Sequence, residues 1–348
     1  MIIMSTVDIN ILKQLPSLVN KYRMPSFSQA TLQSLTSFLP YVVLWLAMYF
    51  LLDISYILVL VLAIVNAFFL VRIFIIQHDC GHQSFTKSNK INDLLGQIAS
   101  VLTWMPYQYR AKGHEFHHNH NAILRDFRDI GDIETLTVEE YSKLSPLKKI
   151  GYRLFRSAPV MFFIIPLRYI LIHNRLPLIR LQWRHKEYIS LIYHNLMLIV
   201  FYGWLWWIIG FKALFMIQFP VLLCFGTIAI WFFYIQHQHE ATYKARQDKR
   251  EYVRAAVQWS SFYDLPRFFH RLTGNIGYHH IHHLNSLVPS YQLARCFREQ
   301  PLLQKVANRL TFRQSLRCMW HHLRDEQQQK MISFRAYYRL YGRRQQVA

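Results

Sequence analysis

Over four long stretches of this chain, apolar residues do not recur at the intervals of a helix with one greasy face or a strand with one buried side. They run in stretches long enough to be apolar all round. Crossing a hydrocarbon core of ~30 Å takes ~20 helical residues at ~1.5 Å each, and several stretches approach that length. Residues 32–52 (LQSLTSFLPYVVLWLAMYFLL) and 54–76 (ISYILVLVLAIVNAFFLVRIFII) are separated only by Asp53, which reads as the tip of a helical hairpin. A second hairpin is predicted from 188–209 and 213–235, with Gly210, Phe211 and Lys212 as its turn. The stretch 158–172 is shorter and carries Pro159, Pro166 and Arg168. It reads as a helix lying in the membrane interface or dipping partway in, because a full crossing would put the next segment on the wrong side. Residues 91–104 read as a membrane-surface helix, and the tail beyond residue 290, which alternates Arg with Leu, Phe and Tyr, as a basic amphipathic helix against anionic headgroups. The expected fold class is all-α and integral to the membrane. Four transmembrane helices in two hairpins carry a cap built from segments 77–187 and 236–348, the whole forming one domain over residues 1–348.

Composition strengthens this picture and charge orients it. The chain is 53% hydrophobic yet has a formal net charge of +21, so apolar and basic residues must be segregated, and a bilayer beside water is the simplest cause. Of the cations, the two hairpin tips hold only Lys212, whereas residues 84–187 carry 16 and residues 241–348 carry 19 against 6 acids. By the positive-inside rule the tips face outward, and the cap and both termini face the cytoplasm. A bacterial inner membrane is the expected location. Basicity of this kind flanks apolar spans without any nucleic-acid motif, which argues against a nucleic-acid partner. Cys80, Cys224, Cys296 and Cys318 lie far apart and form no CxxC pair, so no disulfide framework or thiolate metal site is expected. The first twenty or so residues lack the pattern of a secretory signal.

The chemistry resides in histidine. Most of the 18 histidines fall in clusters, each at or beyond the cytoplasmic end of an expected span. HDCGH (His78 to His82) follows the second span, HEFHHNH (His114 to His120) the first surface helix, QHQHE the fourth span, and GYHHIHHLN lies in the tail. Residues four apart share a helical face, so His78 and His82 can point at one centre. In an HxxHH arrangement the positions i, i+3 and i+4 share a face, yet the last two diverge enough to serve neighbouring ions. His114, His117 and His118 fit this pattern, as do His279, His282 and His283. With His237 there are nine candidate metal ligands, too many for one tetrahedral site, so two ions are expected. Imidazole suits iron, copper, zinc and nickel alike. His239 and His280 each neighbour a better-placed ligand and compete with it, and His120 reads as a supporting or surface residue. Asp79 and Glu115 lie off the ligand face and could orient imidazoles by accepting the second ring N–H. Asp126, Asp129 and Asp132 could do likewise or be solvated loop charges. The isolated residues His173, His185, His194, His270, His321 and His322 read as headgroup contacts or caps. No Glu occupies the Glu-x-x-His position of helical di-iron bundles, so an all-histidine shell is expected.

With these phrases in view, the chain resembles the membrane fatty acid desaturases, most closely the acyl-lipid omega-6 (delta-12) type. HDCGHQSF at His78, HEFHH at His114, GDIETLTVEEY at Gly131, QHQHE at His237 and GNIGYHHIHHLN at Gly274 carry the likeness, which spans residues 39–303. The resemblance implies two iron ions (Fe2+) held by the three boxes plus the histidine after the fourth span, here His237, with O2 as co-substrate. It implies removal of two hydrogens from adjacent methylenes of a fatty acyl lipid, with two electrons from an external donor. No fused haem domain is expected, and the positive face favours an acidic ferredoxin-like donor. One departure is His239, where relatives commonly have an apolar aromatic residue. Relatives of like sequence hydroxylate or otherwise oxidise their substrate, so a hydroxylase or ketolase of the same metal class is the alternative. A metal transporter fits poorly, because transporters carry ionisable residues near mid-membrane and these spans have few.

Overall fold

The computed structural model describes residues 9–120, 122–123, 133–178, 185–244 and 251–342. An amphipathic helix, α1 (Ile9–Asn20), lies before the first hairpin of α2 (Phe27–Leu51) and α3 (Tyr56–Gly81). Ser26 opens α2 by accepting a hydrogen bond from the Gln29 backbone, as N-cap serines do. The expected surface helix appears as α4 (Asn89–Thr103), capped by Ser88, and Trp104 in the left-handed region (φ 60) turns the chain into α5 (Tyr107–Asn119). Two short helices, α6 (Val138–Ser142) and α7 (Pro146–Phe155), precede α8 (Val160–His173), which is bent by 59° from α7. Pro166 sits inside α8 with wide π turns on either side, the local loosening expected where a helix loses a backbone donor.

The second hairpin is α9 (His185–Ile209) and α10 (Phe211–His237). Its turn is the single residue Gly210, at a positive φ of 78, which glycine adopts without a Cβ clash. Phe211 and Lys212 already belong to α10, so the turn is tighter than the three residues expected. The spans are longer than their apolar runs. α3 continues through HDCG, and α10 ends on His237.

These four helices are long and apolar enough to cross a membrane. Leu39, Val43 and Phe50 on α2, Ile57 and Ile64 on α3, and Ile199 and Trp207 on α9 are exposed, a surface too apolar for water. Lipid gives little hydrophobic drive between helices, so close packing and polar bonds must hold them. α3 is the central helix, packed on α2, α4 and α10. Ala63 and Ala67 let neighbours approach it, while Met48, Val221 and Phe225 fill the remaining space. The Trp45 indole donates to Gln218 Oε1 at 3.0 Å, and Gln218 donates to the Tyr202 hydroxyl at 3.2 Å, tying α2, α9 and α10 together. Arg72 ties α3 to α2 by donating to Ser37 Oγ at 3.0 Å and Thr36 Oγ1 at 2.8 Å.

Beyond α10 the chain builds α11 (Tyr252–Gln258), β1 (Ser261–Asp264), α12 (Arg267–Leu272), α13 (His279–Leu284), α14 (Ser290–Glu299), α15 (Pro301–Val306), β2 (Asn308–Thr311), α16 (Phe312–Cys318), β3 (Leu323–Asp325), β4 (Lys330–Ile332) and α17 (Phe334–Tyr341). β1 pairs in parallel with β2, and β3 antiparallel with β4. Among the described residues the protein is mostly helical, as expected, with two small two-stranded sheets in the cap. The tail is not one amphipathic helix. Pro301 starts a new helix, and the segment from Asn308 to Thr311 gains backbone partners on β1 that an isolated surface helix would lack. α1 packs into the same cap, with Leu12, Leu15 and Val19 against Val257, Ile281 and Leu293.

Candidate metal centre

Helix geometry delivers the nine histidines named above to one place. His78 is on the last turn of α3 and His82 is its C-cap; His114, His117 and His118 share the end of α5; His237 closes α10; His279, His282 and His283 lie on α13. They divide into two groups. Ligand nitrogens of His78, His82, His114, His118 and His282 lie within 4.8 Å of one another, as do those of His117, His237 and His283. His279 joins the second group, its Nε2 lying 3.2 Å from His237 Nε2 and 2.9 Å from His283 Nε2. Each HxxHH box is split between groups: His114 and His118 go to one and His117 to the other, while His282 parts from His279 and His283.

The nitrogens face one another in a way that hydrogen bonding does not explain. Nε2 of His114 lies 2.7 Å from Nε2 of His78 and 3.0 Å from Nε2 of His118, which in turn is 2.9 Å from Nε2 of His282. One imidazole nitrogen has either a single N–H or a single lone pair, so His114 and His118 cannot satisfy two neighbours each. Adjacent ligands at right angles on a metal with bonds of about 2.1 Å stand ~3 Å apart, which is the spacing observed. Nε2 of His82 is buried with no hydrogen-bond partner among the described residues, as a ligand awaiting its ion would be. The donor set therefore fits two metal ions with imidazole shells.

Supporting contacts hold the rings. Asp79 Oδ1 lies 3.2 Å from His78 Nδ1, while its Oδ2 accepts the Ser290 backbone N–H at 2.6 Å. Asp79 thus orients a ring as its position allowed, whereas Glu115 turns outward to Lys112 at 2.7 Å and is corrected to an exposed ion pair. Asp126, Asp129 and Asp132 fall outside the described residues. His239 lies outside both groups, with Nε2 3.2 Å from the Trp259 carbonyl, and so does His280, which is buried against Phe262 and Phe297. His120 stacks on Phe116. Of the isolated histidines, His194, His270 and His322 are buried rather than at headgroups; His194 meets Ser100 Oγ at 3.2 Å, and His322 stacks on Phe334. The reason is that α9, α12 and the β3–β4 hairpin pack inward where the sequence offered no periodicity to show it.

Two neighbours carried no sequence signal. Trp259 stacks on His237 with ring centroids 3.9 Å apart and closes one side of the second group, near His117 and His283. Arg110 lies over Phe74 beside the first group and, with His78, His82 and His114, lines a small cavity of 20 Å³, room for one water or a diatomic molecule. An isolated aromatic or cation has no spacing pattern by which to be recognised.

Burial sets the protonation of the rings outside the spans. His114, His118, His279, His282 and His283 are held well below the usual imidazole range, first by desolvation and then by repulsion among neighbouring rings. His82 is brought down to about 4, by burial and then by Arg110 and His117. In the folded, metal-free protein these rings stay neutral while the unfolded chain takes up protons near pH ~6.5, so stability falls as pH drops below that value. We expect the melting temperature of the metal-depleted protein to decline as the pH is lowered from about 7 to about 5. A melting temperature that held level or rose over this window would contradict the arrangement.

Comparison with known proteins agrees with the geometry. The profile of the family described as fatty acid desaturase matches residues 55–314. The chain is 40% identical over 324 residues to a Bacillus subtilis protein named fatty acid desaturase, covering 93% of this chain and 91% of that one. It is 27% identical to an sn-1 oleoyl-lipid 12-desaturase of Synechocystis sp., over 63% of this chain and 62% of the relative. A shorter match, 32% identical over 26% of the chain and 25% of the relative, is to an sn-1 acyl-lipid omega-3 desaturase (ferredoxin) of Nostoc sp..

Proposed function

The chain belongs to the fatty acid desaturase family of oxidoreductases, and from that premise we propose that it is a di-iron, dioxygen-dependent enzyme that introduces a double bond into the acyl chain of a membrane lipid, with omega-6 (delta-12)-like selectivity. The observation that carries this reading is the pairing of two histidine groups, five nitrogens in one and three plus His279 in the other, directly at the ends of apolar spans. His78, His82, His114, His118 and His282 would hold one iron, and His117, His237, His279 and His283 the other. Bound there, the iron pair would supply the redox chemistry that couples reduction of dioxygen to removal of two hydrogens from adjacent methylenes. The protein's part is positional. Asp79 and the Ser290 N–H fix the His78 ring, and Trp259 shields His237, so the shell is held before substrate arrives. Since all methylenes are chemically alike, the selected carbons are those held nearest the centre.

Charge distribution supports an orientation with the centre and both termini on the cytoplasmic side of a bacterial inner membrane. The same basic face suits an acidic, ferredoxin-like electron donor, and the ferredoxin in the Nostoc relative's name accords with that choice. The test is product analysis in a host with saturated lipids, under oxygen-18 gas. A new double bond with no label in the lipid is expected. Label appearing in the acyl chain would replace this reading with a hydroxylase or ketolase, and an unchanged lipid profile with iron and donor present would overturn it.

A further inference from the structure

Next to the first histidine group, a cavity of 450 Å³ opens to the surface, within the range of small-ligand pockets. It shares the wall formed by His82 with the metal centre, and α4, α5 and α9 supply the rest. Its charges are Asp93, Glu115 and Glu187 against Lys112 and Lys186, an excess of acid in a chain of net charge +21. Lys112 is occupied by Glu115 at 2.7 Å, and Asp93 accepts from Gln83 and Tyr107 at 2.9 and 3.1 Å. Glu187, on the first turn of α9, differs. It is only 6% exposed, it lines the cavity, and its Oε2 has no hydrogen-bond partner among the described residues. A buried carboxylate oxygen without a partner is costly unless a ligand completes it.

We infer that this cavity binds the ammonium–phosphate head group of a zwitterionic membrane lipid, with Glu187 receiving the ammonium and the exposed Lys186 the phosphate. A bare metal ion fits less well, because the carboxylates here do not converge at ligand distance as the histidines do; among the described residues only the two histidine groups meet that condition. A lipid fits because the mouth lies where apolar helices meet polar chain. Leu94 and Ile98 on α4 and Ile189 and Ile192 on α9, the helices that carry Asp93 and Glu187, are exposed and would carry the acyl chains. A head group without an amine, such as that of phosphatidylglycerol, lacks the cation that Glu187 needs. The inference rests on the acyl-lipid reading above and adds which lipid is taken.

The experiment uses the full chain in nanodiscs of equal parts phosphatidylethanolamine and phosphatidylglycerol, with the lipid retained after detergent extraction counted by mass spectrometry. Wild type is expected to enrich phosphatidylethanolamine by roughly tenfold, the scale of one charge-assisted bond. Glu187→Gln should bring the ratio to near one, and Lys186→Met, at an exposed site that tolerates change, should lower retention of the same lipid. Equal retention of both lipids by wild type, or enrichment unchanged in both variants, would overturn the inference. Soluble phosphoethanolamine is added as a further arm: if it binds while no lipid is enriched, the site serves a soluble ester and the lipid assignment fails. Retention is read without turnover, so equal retention alongside intact desaturation sinks this pocket alone, and enrichment in a protein that makes no double bond sinks the activity alone.

Discussion

His282→Ala should abolish desaturation and release iron from the first group, while His280→Ala, two residues away and equally buried, should keep both irons. The two rings differ in what they face. Nε2 of His282 stands 2.9 Å from His118 Nε2, and its ring lies 4.4 Å from His78 and 4.9 Å from His82, at the middle of five converging imidazoles. His280 packs on Phe262 and Phe297 and belongs to neither group. Both substitutions leave a cavity, so a general loss of packing would weaken them alike, by about 2–4 kcal/mol. Only ligand loss predicts the split. Iron per chain and activity, measured on each purified variant, decide it. Loss of iron by His280→Ala to the same degree, or two irons and full activity in His282→Ala, would break the assignment of ligands.

Stripping iron with a chelator should eliminate activity without dismantling the membrane helices, and ferrous iron should restore it where zinc does not. The helices are held by contacts distant from the metal. Met48, Ala63, Ala67, Val221 and Phe225 form one core, and Trp45, Gln218 and Tyr202 a polar link, none of them a candidate ligand. The cap depends more on the metal, because imidazole nitrogens of His78, His114, His118 and His282 crowd one another at ~3 Å and each can satisfy only one neighbour. Helical content by circular dichroism should therefore change little on depletion, while protease sensitivity rises around α5 and α13. Zinc fills imidazole sites but has no redox chemistry, so a zinc-restored activity would show that oxidation is not what the centre performs. Helices that collapsed on depletion would show that the metal, and not interhelical packing, organises the spans.

The spans and the clustering histidines were legible for the same reason: both are written as short-range patterns. An apolar run of span length needs no knowledge of neighbours, and i, i+3 and i+4 spacing puts imidazoles on one face by helix geometry alone. That His117 and His118 would diverge followed from angle; that His114 sides with His118 came only from the fold. Which ring shares an ion with which did not follow, since His282 meets His78, His82 and His118 only when α13 is brought beside α3 and α5. Trp259, Ser290 and Arg110 were invisible for this reason, because each acts on a residue that is remote in the chain or presents no repeat. The tail misled for a related cause. Its Arg and aromatic alternation resembles an amphipathic surface helix, but pairing of β2 with β1 satisfies backbone groups that local propensity cannot weigh.

The order of residues by itself determined where the chain turns apolar, which face carries the positive charge and which histidines share a helical turn, because hydropathy, charge and helical pitch are local quantities. Folding decided that four separated segments would meet, that His239 and His280 would be left out, and that Glu187 would be buried facing a cavity. Those outcomes depend on packing between elements far apart in sequence, and no local period encodes a distance between them.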